Sequence, residues 1–144
     1  MSFAVYSLAD THTVLSHPQV GKGNLHRDGV GKIVVSRSGD LSSHTTTADG
    51  YVVVNRLKSV NGTITIEVPQ NSQADEYLRR WTSYLLNAES SADFAASTLT
   101  IRDTAGGLTI TADGVTPQKI PDRAWDRTAT NLTYTLLAAV ITEK

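Results

Sequence analysis

In "STLTIRD" (residues 97–103) and "GLTITAD" (residues 107–113), leucine and isoleucine alternate with threonine on either side of Ala105-Gly106-Gly107. A period of two puts the aliphatic groups on one side of an extended strand and the hydroxyls on the other. The two stretches therefore predict an antiparallel hairpin with one wet face. "KIVVSRS" (32–38), "YVVVNRLKSV" (51–60) and "GTITIEV" (62–68) are further β-branched stretches separated by turn residues. Asn61-Gly62 is a favoured hairpin dipeptide and predicts that the last two of these pair with each other. Asp49-Gly50 predicts a type I′ turn between a hydroxyl-rich arm, residues 42–47, and the valine strand. Thr-Ala-Asp-Gly occurs at residues 47–50 and again at 111–114, which reads as repeated turn chemistry without a duplicated unit.

One segment carries helix marks. "SQADEYLRRWTSYLLNAE" (72–89) has Ser72 at the N-cap and Asp75 three residues on, and Ala74, Tyr77, Leu78, Trp81 and Leu85 recur at spacings of three and four. Asp75 to Arg79 and Glu76 to Arg80 form acid-then-base pairs expected on its wet side. The final stretch, residues 129–144, has Thr on alternate positions and then turns apolar on both faces from Leu136 to Ile141; a helix is the alternative, but Thr133, Thr135, Val140, Ile141 and Thr142 favour a long covered strand. Between them, residues 117–127 read as an irregular crossing segment anchored by packing of Trp125. The fold class is mainly β: an antiparallel sandwich or partly closed barrel with one flanking helix, in a single domain over residues 1–144.

Apolar area exceeds what one such core can hide. Tyr51, Val52, Val53 and Val54 place apolar groups on both faces of one strand, as do residues 136–141 of another. Cover for the surplus is expected from further copies of the chain, with few prolines or lysines guarding the strand edges.

Thirteen basic and fourteen acidic residues are interspersed without a run of either sign, so no basic stripe for gripping nucleic acid is visible. Absence of cysteine removes disulfides, thiolate zinc sites and cysteine nucleophiles, and suits a reducing cytosol. No apolar run reaches the ~20 residues of a membrane span and the first ten residues do not read as a signal peptide, so a soluble cytoplasmic product without membrane insertion is expected. His12, His17, His26 and His44 lie in scattered polar stretches without zinc-ligand spacing and read as ordinary exposed histidines. "GVGKIVVS" (29–36) fails as a phosphate loop, because His26 stands at the first glycine position, Ile33 replaces Ser/Thr, and a strand follows. No G-x-S-x-G elbow occurs, and Asp122 and Asp126 sit beside Arg123 and Arg127 as surface ion pairs, not a glycosidase carboxylate pair. The sequons Asn61-Gly62-Thr63 and Asn131-Leu132-Thr133 read as a turn and a strand start. No catalytic, metal or cofactor residue is expected, so the chain does not read as an enzyme.

Taken in order, "TADGYVVVNRLKSVNGTITIEVPQNSQADEYLRRW", "LTIRDTAGGLTITADGV" and "DRAWDRTATNLTYTL" resemble the short tail tube proteins of contractile-tailed bacteriophages, with the likeness running from about residue 3 to residue 141. The resemblance implies six copies per ring with a continuous inner β-barrel, and rings stacked into a hollow tube through which double-stranded DNA passes without sequence-specific binding. It implies sheath, baseplate, tape measure and tail terminator partners, a place in the virion tail after assembly in the host cytoplasm, and no enzymatic site. Candidate subunit contacts are Tyr51, Val52, Val53, Val54, Tyr77, Trp81, Leu85, Leu137, Ala139 and Ile141. Ser38, Gly39, Asp40, Leu41 and Ser42 form a candidate inter-ring loop, and Ser43, Thr45 and Thr47 are candidates for the lumen. The alternatives are the tube of a phage-derived contractile injection or secretion apparatus, a monomeric β-sandwich binding module, and a small hydrolase.

Overall fold

The computed structural model describes residues 3–25 and 31–144, so His26, Gly29 and Val30 of the motifs above lie outside the described residues. The described elements are ten strands, a 14-residue helix α1 (Gln73–Leu86), a single helical turn α2 (Ser91–Phe94) and a 3-10 turn at Leu8–Asp10. The strands are β1 (Thr11–His17), β2 (Gly21–Asn24), β3 (Lys32–Arg37), β4 (Ser42–Thr46), β5 (Val52–Arg56), β6 (Gly62–Pro69), β7 (Ser97–Asp103), β8 (Leu108–Lys119), β9 (Asn131–Ala138) and β10 (Val140–Glu143).

All pairing is antiparallel, in the order β2-β1-β7-β8-β9-β6-β3, with β10 also on β8. The 12-residue β8 links the two halves: residues up to Asp113 pair with β7 and β10, Val115 still pairs with Ser97 of β7 after a register shift that skips Gly114, and Thr116 onward pairs with β9. Gly114 at φ +65 marks the changeover. The sheet is open, with edges at β2 and β3, so the partly closed barrel is not observed.

Helix α1 closes the concave side. It touches β2 at one edge and β6 near the other, so the sheet curls around it. Its stripe of Ala74, Tyr77, Leu78, Trp81 and Leu85 is buried against Leu15, Leu99, Ile64, Ile66, Tyr134 and Leu136. The predicted alternation holds in β7, where Leu99 and Ile101 are buried and the threonines are not, but weakens in its hairpin partner β8, where Leu108 is exposed and Ile110 only half-buried; β6 alternates in the same way as β7. Two polar ties fix the helix to the sheet. Trp81 Nε1 donates to Ser97 Oγ at 2.8 Å, and the Tyr77 hydroxyl lies 2.7 Å from Gly21 O and 3.1 Å from Leu15 O. Tyr77 sits so close over β2 that only a glycine fits at residue 23.

Three local expectations are corrected. Asn61-Gly62 is not a hairpin turn: β6 pairs with β3 and β9, and β5 pairs with β4. Glycine stands at 62 because a Cβ there would collide with the Ser36 carbonyl and the Ile141 side chain. The last strand is not continuous; it breaks at Ala139, whose N–H donates to Asp113 O, and β10 moves from the partners of β9 to the first half of β8. The Asp49-Gly50 turn exists in another form. Gly50 N–H donates to Thr47 O and only Gly50 has positive φ, giving a three-residue loop with a left-handed glycine in place of the type I′ turn.

Candidate functional site

Strands β4 and β5 form a two-stranded sheet of their own. Registered pairs share a face, so Ser43 and Thr45 stand with Asn55 and Val53, while His44 and Thr46 stand with Val54 and Val52. Asn55 Nδ2 donates to Ser43 Oγ at 3.2 Å and to Thr45 Oγ1 at 3.0 Å, tying the hydroxyl face together. The apolar-on-both-faces pattern of β5 thus has a physical reading: the hairpin belongs to no core. Tyr51 and Val54 are 68% and 66% exposed, and Val52 and Val53 are also open to solvent. A two-stranded hairpin without a packed face is marginal in water, and neither strand of this one contributes a residue to the protomer's core.

Residues 38–41 are the loop that joins β3 to β4 at the root of that hairpin. Ser38 N–H donates to Asn61 O and Leu57 N–H to Leu41 O, which carries the ladder down to the main sheet. Ser42 lies in β4, and Gly39 lets the backbone approach Ser59. The free tip is residues 47–51, where Thr47 exchanges hydrogen bonds with Tyr51. Leu137, Ala139 and Val140 are exposed near the β9–β10 break. Tyr77, Trp81, Leu85 and Ile141 are buried in the protomer's own core and offer a neighbour no surface; their helical and strand periodicity marked packing inside the subunit.

The crossing segment is held by an ion pair and not by its tryptophan, which is 81% exposed. Arg123 grips Asp75 with two bonds, Nη2 to Oδ1 at 3.0 Å and Nη1 to Oδ2 at 3.2 Å, and also donates to Tyr134 Oη at 2.7 Å. Tyr134 donates to Asp75 Oδ1 at 2.8 Å, and Asn71 N–H to Oδ2 at 3.0 Å. Burial pushes the Asp75 carboxyl upward, but the Arg123, Asn71 and Tyr134 hydrogen bonds outweigh it and hold the group below the usual carboxylate range. Burial and the Asp75 bond raise Tyr134, and the Asp75 bond raises Arg123. Asp75 is therefore a buried anchor whose partner Arg79 lies 3.8 Å away, and Arg123 is no surface ion-pair residue. The Arg123 role had no local sequence signal, because its partner is 48 residues away.

His17, expected to be exposed, is buried. Its Nδ1 accepts from Gln19 N–H at 3.1 Å, which makes Nε2 the donor to Asp93 O at 2.8 Å, while Tyr84 Oη donates to Asp93 Oδ2 at 2.7 Å. These bonds lock α2 to β1. Among the described residues, no group of three or more His, Asp or Glu could hold a metal ion, and no helix is long and apolar enough to cross a membrane.

A model of the family described as bacteriophage PhiTE tail tube protein matches residues 3–144. The chain belongs to that family. As a tail tube protein it is a structural component, and its uncovered strands are the place to look for function. No curated protein matches the sequence. Among solved structures, the fold is similar to a chain of the anti-feeding prophage (AFP) baseplate, 6-fold symmetrised, with TM-score 0.66 and 10% identity over 100% of this chain and 97% of that one. It is also similar to a chain of an extracellular contractile injection system, PVC sheath-tube complex in extended state, with TM-score 0.58 and 12% identity over 92% and 87%. A third likeness is to the anti-feeding prophage tube-terminating cap, with TM-score 0.58 and 10% identity over 100% and 93%. Tail tube proteins of this family thus share their fold with components of contractile injection systems.

Proposed function

We propose that this tail tube protein assembles as stacked hexameric rings that form the inner tube of a contractile phage tail, the conduit for genome ejection into the host. The observation that carries the reading is the detached β4–β5 hairpin, apolar side chains exposed on both faces, in a chain of the tail tube family. Val52 and Val54, with Tyr51 and Val53 around the tip, pack against a neighbouring copy in the ring or the ring above. Ser38, Gly39, Asp40, Leu41 and Ser42 form the stalk that carries the hairpin between rings. Ser43, Thr45 and Thr47 turn their hydroxyls to the lumen, and Leu137 and Ala139 meet the adjoining subunit. Sheets completed across subunits leave no free β edge in the tube.

Sheath, baseplate, tape measure and terminator proteins are the partners, with double-stranded DNA in transit. Assembly takes place in the host cytoplasm and the product resides in the virion tail. A second reading, the tube of a phage-derived injection apparatus, is supported by the fold shared with the AFP and PVC chains. Electron microscopy of the purified protein at rising concentration, with and without a baseplate complex to initiate growth, tests assembly. Hollow filaments of uniform width are expected, and a monomer under every condition overturns the reading. Nucleic acid inside intact particles separates the phage tail from the injection apparatus.

A further inference from the structure

Thr-Ala-Asp-Gly stands twice in the chain, at residues 47–50 and 111–114, and the structure gives the two copies different surroundings. Aspartate followed by glycine is a chemically weak junction, because glycine has no Cβ to shield its amide nitrogen. That nitrogen can attack the carboxyl carbon of the aspartate side chain. A bond forms between the glycine nitrogen and aspartate Cγ, the amide proton goes to solvent, and the carboxyl hydroxyl takes up a proton and departs as water. Water then opens the cyclic imide at either carbonyl. One product is aspartate again; the other is isoaspartate, whose main chain runs through the side-chain carbon. Atoms balance, and no oxidant or cofactor is needed.

The reaction requires a free glycine N–H, a protonated carboxyl and a backbone able to turn. At residues 111–114 the backbone is fixed. Asp113 is registered with Thr98 on one side and Val140 on the other, its carbonyl accepts from Ala139 N–H at 3.0 Å, and a Cβ on Gly114 would lie 2.8 Å from that of Ala139. Residues 47–50 instead lie exposed at the tip of the hairpin, outside β4 and β5, where water has access. There a single residue opposes all three requirements. Thr47 O accepts from Gly50 N–H at 3.0 Å. The Thr47 hydroxyl donates to Asp49 Oδ1, and together with Asp49's own backbone N–H it holds the carboxyl below the usual carboxylate range, ionised and without a hydroxyl to lose. Tyr51 N–H donates to Thr47 Oγ1 at 3.1 Å and Thr47 N–H to Tyr51 O at 2.8 Å, which clamps the loop at both ends.

We propose that Asp49-Gly50 is a self-modification site that isomerises to isoaspartate when unguarded, and that Thr47 is the guard that keeps the hairpin of the free protomer intact. The inference stands on the protomer alone and does not need the tube reading. Isoaspartate at residue 49 would add one atom to the main chain inside a three-residue loop. Gly50 N–H would then no longer meet Thr47 O, and Val52 and Val53 would lose their register with Thr46 and Thr45. The guard thus preserves the one element of the protomer that has no core of its own.

The test holds the full-length protein dilute, at neutral pH and physiological temperature, for several weeks. Isoaspartate is then located by peptide mapping with electron-transfer fragmentation. Folded wild type, urea-unfolded wild type, Thr47→Val and Thr47→Ser are compared, with Asp113, locked between two ladders, as the unreactive reference. Thr47→Val keeps the branched shape without the hydroxyl and should form isoaspartate at residue 49 about fivefold faster than wild type, the factor one net hydrogen bond is worth. Thr47→Ser keeps the hydroxyl and should match wild type. Isoaspartate accruing in folded wild type as fast as in the unfolded chain overturns the proposal, and this comparison needs no variant to fold. Equal rates in Thr47→Val and wild type, or a Thr47→Ser rate equal to that of Thr47→Val, take the hydroxyl out of the account and overturn it as well.

Discussion

Replacing Arg123 with alanine should destabilise the protomer more than its surface-like sequence context suggests. Asp75 has no solvent exposure and the Arg123 side chain is 19% exposed, so the change leaves a carboxylate buried without its fork. Removing one partner of a buried pair costs roughly 3–5 kcal/mol. Here Tyr134 and the Asn71 N–H still bond Asp75, and water can enter where Arg123 reached the surface, so we expect about 2–3 kcal/mol. In a domain of this size that is a fall in Tm of ~5–10 °C.

The pH dependence gives a sharper signature. In the wild type the depressed Asp75 contributes stability that is present above the unfolded value of 3.8 and is lost as pH falls through the folded value. Without Arg123 the carboxyl loses its largest lowering contact, so its folded value rises and the stability it adds at neutral pH shrinks. The difference between the two proteins should therefore shrink from about pH 7 to about pH 3.5. Urea unfolding of dilute protomer followed by circular dichroism measures both, and Arg123→Lys, which keeps charge but not the fork, should fall between. A penalty below about 1 kcal/mol, or one that does not change with pH, would refute the anchoring role of this pair.

Val52→Asp with Val54→Asp should leave the protomer's unfolding free energy within ~0.5 kcal/mol of wild type while abolishing filaments, because both side chains are exposed in the single copy; denaturation and sedimentation check the two halves. Gly50→Val forces a β-branched residue into φ +87 and should cost about 1–3 kcal/mol of hairpin order, read as faster hydrogen exchange in β4 and β5 with β7 unaffected. Gly23→Ala should lower stability by about 1–3 kcal/mol in thermal melts, since the new methyl group overlaps the Tyr77 ring and pries β2 from α1.

The parts of the fold legible in the sequence were those whose cause is local. Ser72 caps α1 with its hydroxyl accepting from Asp75 N–H, and the three-and-four spacing of Tyr77, Leu78 and Trp81 does define the buried stripe. Leu99 and Ile101 of β7 face inward with threonines between them, as a period of two requires. What misled was a local signal with a non-local cause. Asn61-Gly62 looks like a turn, yet Gly62 answers to the backbone of β3 and a side chain of β10. Trp125 looks like an anchor, but the anchor is Arg123, whose carboxylate partner lies on the helix. The candidate site divides the same way. The valine strand announced uncovered surface because its pattern fits no single core, whereas the helix residues offered as contacts could not be told from core by periodicity alone.

The most direct test of the whole account is a cryo-electron-microscopy map of the assembled protein at side-chain resolution. The account requires six copies around a hollow axis, with Tyr51, Val52, Val53 and Val54 of each hairpin buried against another copy. A tube in which the hairpins project free into solvent, or an assembly without a bore, would contradict it.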